Sequence, residues 1–125
     1  MSWDIFIFNS TQDIKNVEDI NVESFVPINF EQILLLHFAD IIVDDNHRRV
    51  VAENYSIEYF ISENLEGSLM VSLYGENALF ELIEISRKYK WQIFDTGNGE
   101  MIDLDNPSNN GYNNFKDYLK TVFGK

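Results

Sequence analysis

The alternation of apolar and polar residues predicts β-strands along much of the chain. It is regular in residues 55–62 (YSIEYFIS) and 68–75 (SLMVSLYG), where successive apolar side chains fall on one face of an extended segment. The short link ENLEG between them predicts an antiparallel hairpin. Further strands are predicted at 3–9 (WDIFIFN), in RVVAEN, and in WQIFDT and EMIDLD on either side of a GNG turn.

Three other stretches have helical spacing. Residues 30–42 are apolar almost all round, which predicts the most buried helix of the protein, with Asn29 as its N-cap. Residues 76–90 predict a second helix, and residues 112–123 predict a third, amphipathic one. The acidic segment 10–29 fits neither period. We expect its scattered apolar residues to pin it to the core, with a short helical turn near its start, after Thr11.

The order of these elements predicts an α+β domain. We expect one antiparallel sheet of about five to six strands, with about two to three helices packed mainly on one face. A chain of 125 residues suits a single domain, spanning residues 1–125.

Composition narrows the classes of function. The chain has no cysteine, which excludes a disulfide framework, thiolate catalysis and a Cys-ligated zinc site. Its first residues, MSWDIFIFNS, lack the basic region of a signal peptide. The longest apolar run, ILLL, is too short to span a bilayer. We therefore expect a cytoplasmic protein that does not contact membranes.

Negative charge is the strongest compositional feature. The net charge is −12, and residues 1–45 hold nine acidic residues against the single base Lys15. Such a field repels nucleic acid and attracts basic partners. We expect a basic protein as partner and no nucleic acid.

The tripeptide Asp95-Thr96-Gly97 matches the catalytic tripeptide of aspartic proteases. Those enzymes need two carboxylates that share a proton, so this chain would have to dimerise. The stretch from Gly97 to Gly99 separates two apolar runs and contains residues that tolerate positive φ. We interpret it as the turn of a hairpin.

Two clusters contain residue types that bind metal ions. The Asp/Asn-rich loop 103–110 resembles a calcium loop in composition, but Pro107 interrupts the EF-hand spacing, and we interpret the loop as a turn followed by a helix cap. The second cluster consists of His37, Asp40, Asp44, Asp45 and His47. These are ligand types for zinc, manganese or iron, yet His37 is embedded in LLLHFA, which favours a packed core residue. We assign no metal or other cofactor.

The C-terminal half, from LYGENALF through WQIFDTGNGEMIDLD to NPSNNGYNNFKDYLK, resembles a pattern in small uncharacterised bacterial proteins. The pattern consists of a helix, a Trp-Gln-Ile-Phe-Asp-Thr hairpin, Asn-Gly-Tyr and a terminal helix. Size, acidity and lack of cysteine are also similar to those of immunity proteins, the antidotes of bacterial toxin systems. The resemblance covers about half of the chain, implies a toxin-blocking protein and carries over no site residues.

We therefore predict a non-enzymatic binding protein whose acidic face occupies a basic site on a partner, such as the active site of a nuclease toxin. The principal contacts are predicted at Asp40, Asp44, Asp45 and Glu53. The charges predicted to steer association are Asp13, Glu18, Asp19 and Glu23. Two alternatives stay open. One is an enzyme or ligand-binding domain with a site near Asp95, Asp103 and the Asn-rich loop, and the other is a homodimeric module, so the protein is a monomer or a homodimer.

Overall fold

A computed structural model describes residues 3–38 and 40–112. They form one seven-stranded sheet in the order β2-β3-β4-β5-β1-β6-β7, and every neighbouring pair is antiparallel. The strands are β1 (Trp3–Phe8), β2 (Ile41–Asp44), β3 (His47–Val51), β4 (Ser56–Phe60), β5 (Ser68–Tyr74), β6 (Gln92–Asp95) and β7 (Glu100–Met101). The α-helices are α1 (Phe30–His37) and α2 (Glu76–Tyr89). The predicted α+β class is confirmed, with seven strands rather than five or six.

One face of the sheet carries the core because side chains alternate between the two faces of every strand. Residues that oppose each other across the ladder share a face, as Ile57 does with Leu73 and Ile5 with Val71. All four of these side chains are buried. Both helices contribute to the same core, α1 through Phe30 and Leu34 and α2 through a row that includes Leu79, Leu82 and Ile83.

The local predictions hold best in the middle of the chain. β4 and β5 form the predicted antiparallel hairpin. The predicted helix 76–90 is α2, which ends where Lys90 adopts the left-handed conformation at φ 61°. A left-handed residue after the last turn is a common helix ending, and the basic residues before it suit the helix dipole.

The predicted helix 30–42 is wrong beyond His37. The helix stops there, and the chain re-enters the sheet as β2 at Ile41. The stretch IIV at residues 41–43 is β-branched, and such residues lose side-chain freedom in a helix but pack well in a strand. The mostly apolar character of residues 30–43 concealed this change of period.

Asn29 is the N-cap of α1, as predicted: its Oδ1 accepts a hydrogen bond from the Gln32 N–H at 3.0 Å. The prediction that this helix is the most buried is wrong. Leu35 and Leu36 are exposed, whereas α2 buries residues on three successive turns. The apolar surface of α1 is therefore larger than the part of it that the core covers.

The segment 10–29 is held by hydrogen bonds as well as by apolar contacts. Ile14 is buried, and the ring of Phe25 stacks on Phe8 with centroids 4.9 Å apart. The segment contains two short 3-10 turns, Val17–Asp19 and Val22–Ser24, which lie later than the helical turn predicted just after Thr11. The predicted helix 112–123 lies outside the described residues, apart from Tyr112.

Candidate functional site

The antiparallel register brings several loops to the same end of the sheet. β1 ends at Phe8, opposite the first residues of β5 and β6. β4 ends at Phe60, opposite the first residue of β3. The β2–β3 turn, the loop 61–67 and the segment 9–29 therefore lie at one end, and the β3–β4 loop lies at the other.

Six of the eight predicted partner-binding acids lie at this first end, which we call the acidic end. They are Asp44 at the end of β2, Asp45 in the β2–β3 turn, and Asp13, Glu18, Asp19 and Glu23 in the segment 9–29, all exposed. Asp40 and Glu53 are also exposed but lie at the opposite end, just before β2 and just after β3. The four acids predicted as principal contacts are thus divided between the two ends.

Two further acids, which the sequence analysis did not single out, link the two groups at the acidic end. Glu63 and Glu66 lie in the exposed loop between β4 and β5. The Ile61 N–H donates to the Asn46 carbonyl at 2.9 Å, so the loop starts beside the β2–β3 turn. The Ile28 N–H donates to the Glu66 carbonyl at 3.1 Å, so the loop ends beside the segment 9–29. In the sequence, Glu63 and Glu66 are visible as the two acids of the hairpin link ENLEG.

Most of these carboxylates lack a cation. Asp13 pairs with Lys15 at 3.1 Å. Among the described residues, no side-chain hydrogen bond or ion pair involves the carboxylates of the remaining acids at the acidic end. Those are Glu18, Asp19, Glu23, Asp44, Asp45, Glu63 and Glu66. These seven carboxylates therefore form no ion pair with any described base.

The buried base Arg48 holds this end in shape. It lies on the core face of β3, and its Nε donates to Glu31 of α1 at 2.6 Å. Its Nη1 donates to the carbonyl of Asp45 at 2.6 Å. Arg48 therefore ties the β2–β3 turn to the helix. Asp45 in this turn has a left-handed backbone, with φ 57°.

A groove of about 760 Å³ opens beside β6 at the same end. Its walls are the segment 10–15, the last turn of α2 and the stretch 101–105. The bases Lys15, Arg87 and Lys90 line it, and so do three acids, Asp13, Asp103 and Asp105. The groove thus has as many bases as acids, whereas the β2–β3 turn and the loop 61–67 contribute only acids to this end.

The Asp95-Thr96-Gly97 tripeptide forms the predicted hairpin, since β6 pairs antiparallel with β7. Asp95 is 1% exposed, and its carboxylate accepts hydrogen bonds from the Gly97 N–H at 3.0 Å, from the Asn98 side chain and from the Tyr112 hydroxyl. Burial and the bond to Asp95 raise the pKa of Tyr112 above its usual range. The carboxylate therefore organises the turn.

Asp103 plays a similar part in the Asn-rich loop. Its Oδ1 accepts from the backbone N–H groups of Asp105 and Asn106, and its Oδ2 accepts from the Asn109 side chain at 2.8 Å. The Asn109 bond, then the backbone bonds, lower the pKa of Asp103. The predicted interpretation of this loop as a turn agrees with its hydrogen bonds, and its last residues form the 3-10 turn Pro107–Asn110. The helix that the loop is predicted to cap lies outside the described residues, apart from Tyr112.

The second cluster of possible metal ligands is divided: Asp44 opposes His47 in the β2–β3 ladder, but His37 lies against α2. His37 Nε2 lies 3.3 Å from Glu81 of α2, and His47 Nε2 lies 3.4 Å from Glu58 of β4. His37 is at the surface rather than in the core as predicted, because α1 turns that side outward. Within the described part of the chain, no group of three or more His, Cys, Asp or Glu side chains is arranged to hold a metal ion.

Comparison of the chain with protein-family models, with curated proteins and with solved structures found no match. In residues 3–38 and 40–112, no helix combines the length and the apolar character that crossing a bilayer requires. The case for a function therefore depends on the geometry of the site itself.

Proposed function

We propose that the chain is a non-enzymatic binding protein that occupies a basic site on another protein, in the manner of immunity proteins. The acidic end is the contact surface. Asp44 and Asp45 are its principal contacts, because both are exposed at the end of the edge strand β2. Asp13, Glu18, Asp19 and Glu23, now joined by Glu63 and Glu66, supply the wider field.

The group of exposed carboxylates at one end of the sheet, seven of them without an ion pair among the described residues, is the observation that carries this proposal. The turn at Asp45 and the segment 9–29 are separated by β4 and β5, a distance on the order of 15 Å at the usual strand spacing. Charges spread over that distance still act together on an approaching protein at low salt, when the screening length reaches about 30 Å. Such a field raises association rates and selects basic surfaces.

The acidic end is also prepared for binding without rearrangement. Arg48 holds the β2–β3 turn from the inside, and backbone hydrogen bonds tie the loop 61–67 to its neighbours on both sides. A surface that is already ordered loses less conformational freedom when it binds. Like charges held close together would repel one another, and a basic partner removes that repulsion.

The test is affinity capture from the native host at low and at high salt, with three forms of the tagged protein. These are the unaltered chain, a variant with Asp44→Asn and Asp45→Asn, and a control with Glu53→Gln and Glu76→Gln. The control removes two charges at the opposite end, since Glu76 begins α2 just after β5. We expect one basic protein at low salt, reduced at high salt, and bound about tenfold more weakly by the first variant than by the control.

Capture of a protein that is equally retained at both salts, and by all three forms, would contradict the proposal. If the captured protein is a toxin, co-expression with this chain should also protect the host, and the Asp44/Asp45 variant should protect less than the control. Equal protection by both variants would remove the acidic end from the mechanism.

A further inference from the structure

β2 is one edge of the sheet, and the register shows which of its backbone groups point outward. The Ile61 N–H bonds the Asn46 carbonyl, and the Ala52 N–H bonds the Tyr55 carbonyl, both at 2.9 Å. Residues 46 and 52 thus point toward β4, and alternation makes 48 and 50 do the same. The odd-numbered residues of β3 therefore point toward β2, where His47 opposes Asp44 and Arg49 opposes Ile42. Ile41 and Val43 must direct their N–H and C=O groups away from the sheet.

The outward groups of β2 have no partner among the described residues. Ile41 and Val43 take part in no hydrogen bond outside the β2–β3 ladder in that part of the chain. The strand is apolar on both faces, with Ile42 49% and Val43 59% exposed. An exposed apolar edge of this kind is a template for the addition of another strand.

α1 extends the apolar surface beside this edge. Glu31 of α1 contacts Arg48 of β3, and Leu35 lies one helical turn further along the same side. Leu35 is 46% exposed. On the core side, a strand added to β2 would therefore contact Leu35 as well as Val43.

Acidic residues at both ends of β2 decide which strand fits. Asp40 precedes the strand, and Asp44 and Asp45 follow its apolar part. A second copy of β2 is a poor fit when paired antiparallel with matching faces. If Ile42 of one copy opposes Ile42 of the other, Asp40 opposes Asp44 twice. If Val43 opposes Val43, Asp44 and Asp45 oppose isoleucines. Like charges in direct opposition destabilise a sheet.

We propose that β2 binds an extended segment of a basic protein, which joins the sheet as an antiparallel eighth strand. The complement of Asp40-Ile41-Ile42-Val43-Asp44 is a five-residue segment with a base at each end and three apolar residues between them. The two bases face Asp44 and Asp40 on one side of the sheet. The second and fourth residues exchange backbone hydrogen bonds with Val43 and Ile41. This inference rests on the proposed function, since it specifies how the basic partner is held.

The test uses a synthetic peptide with the core Lys-Val-Ile-Val-Lys and the full-length protein. Amide hydrogen exchange, read residue by residue, should show Ile41 and Val43 exchanging fast in the free protein and slowly with the peptide. Methylation of the backbone nitrogens of both valines should weaken binding about tenfold or more, because those N–H groups face β2. Methylation of the central isoleucine nitrogen, which faces away from β2, is the matched control and should change affinity far less.

Variants of the protein check the same contact from the other side. Val43→Pro removes an outward N–H, and proline is tolerated at such edge positions, whereas Val43→Thr keeps the N–H and the β-branched shape. We expect Val43→Pro, verified as folded by circular dichroism, to lose the peptide and Val43→Thr to retain it. A peptide with glutamate in place of lysine should not bind.

Slow exchange of Ile41 and Val43 in the free protein would overturn the inference. Concentration-dependent protection would indicate a second copy, and concentration-independent protection would indicate cover by the chain itself. Equal binding of both methylated peptides would also overturn it. None of these results affects the acidic end, so partner capture that still depends on salt and on Asp44 and Asp45 would preserve the proposed function. Peptide binding without such capture would support the binding edge and contradict the proposed function.

Discussion

The two edges of the sheet are finished in different ways. At β7, the side chain of Asn110 stands where a further strand would run: its Nδ2 donates to the Met101 carbonyl at 2.9 Å, and its Oδ1 accepts from the Asp103 N–H at 2.7 Å. At β2, the outward groups of Ile41 and Val43 have no partner among the described residues. β7 is also only two residues long, whereas β2 has four.

This difference shows two means of keeping a sheet edge from pairing indiscriminately. A short strand capped by an amide has few groups left to offer. A longer strand bracketed by carboxylates keeps its groups available but rejects most partners by charge. β2 is therefore a selective edge, and its last residue, Asp44, belongs to the acidic end. In our proposal the open edge is the one that binds a partner.

The largest effect is expected at the hairpin that carries the closed edge. Asp95→Ala leaves the Gly97 N–H and the Tyr112 hydroxyl without their buried acceptor, and we expect a loss of about 2–4 kcal/mol in the free energy of unfolding. Urea denaturation measures it. Asp95→Asn keeps one acceptor oxygen and should lose less. If the free energies of unfolding of both variants lie within about 0.5 kcal/mol of that of the unaltered protein, the carboxylate does not organise the turn.

A pair of proline substitutions tests whether β2 is an edge with the assigned alternation. Ile42→Pro removes an N–H that bonds β3, which should lower stability by about 1–3 kcal/mol. Val43→Pro removes an outward N–H and should lower stability by less than about 1 kcal/mol. Thermal and urea unfolding of the two variants give the comparison. A larger loss for Val43→Pro would reverse the assignment of inward and outward residues.

The cap of the closed edge is tested by Asn110→Ala. Loss of the bonds to Met101 and Asp103 should reduce stability by about 1–2 kcal/mol, and the Asp103 amide should exchange faster. Asn110→Asp is the control that keeps an acceptor for the Asp103 N–H but removes the donor to Met101. Unchanged exchange at Asp103 in the alanine variant would mean that Asn110 does not close this edge.

The smallest effect concerns pH. Hydrogen bonds from Asn109 and the backbone hold the pKa of Asp103 below its usual value. The stabilisation is therefore complete above the unfolded pKa of about 3.9 and is lost as the pH falls through the lower folded value. Asp103→Asn should flatten this decline in stability below about pH 4. Urea unfolding midpoints measured from about pH 7 to about pH 2 follow the decline. If the two proteins lose stability equally as the pH falls, the charge on Asp103 does not contribute to stability.

Particular residues show where sequence reasoning succeeded. The alternation in 68–75 and the helical spacing in 76–90 predicted β5 and α2 because each pattern lies within one element. The Gly-Asn-Gly turn predicted a hairpin, since its residues tolerate unusual φ values, and Gly99 has φ 68°. β2 was missed because the stretch from Phe30 to Val43 is mostly apolar, so its change of period is visible only in the β-branched residues near its end.

The candidate site was predicted in part. Acid-rich stretches were visible, but Glu63 and Glu66 were overlooked, and Asp40 and Glu53 were grouped with acids that lie at the other end of the sheet. Position along the chain does not give position in space when strands reverse direction. Asp44 and Glu63 are brought to one end only because β3 and β4 pair as an antiparallel hairpin.

By itself, the sequence determined the class of fold, the net charge and most of the elements, because periodicity and charge are properties of contiguous residues. The tertiary structure alone decided that β2 and β7 are the edges, that Asn110 closes one of them, and that acids from three separate loops share one end. Those features depend on strand order and on pairing between residues far apart in the chain. Local propensities do not encode such pairing, which is selected by how the whole core packs.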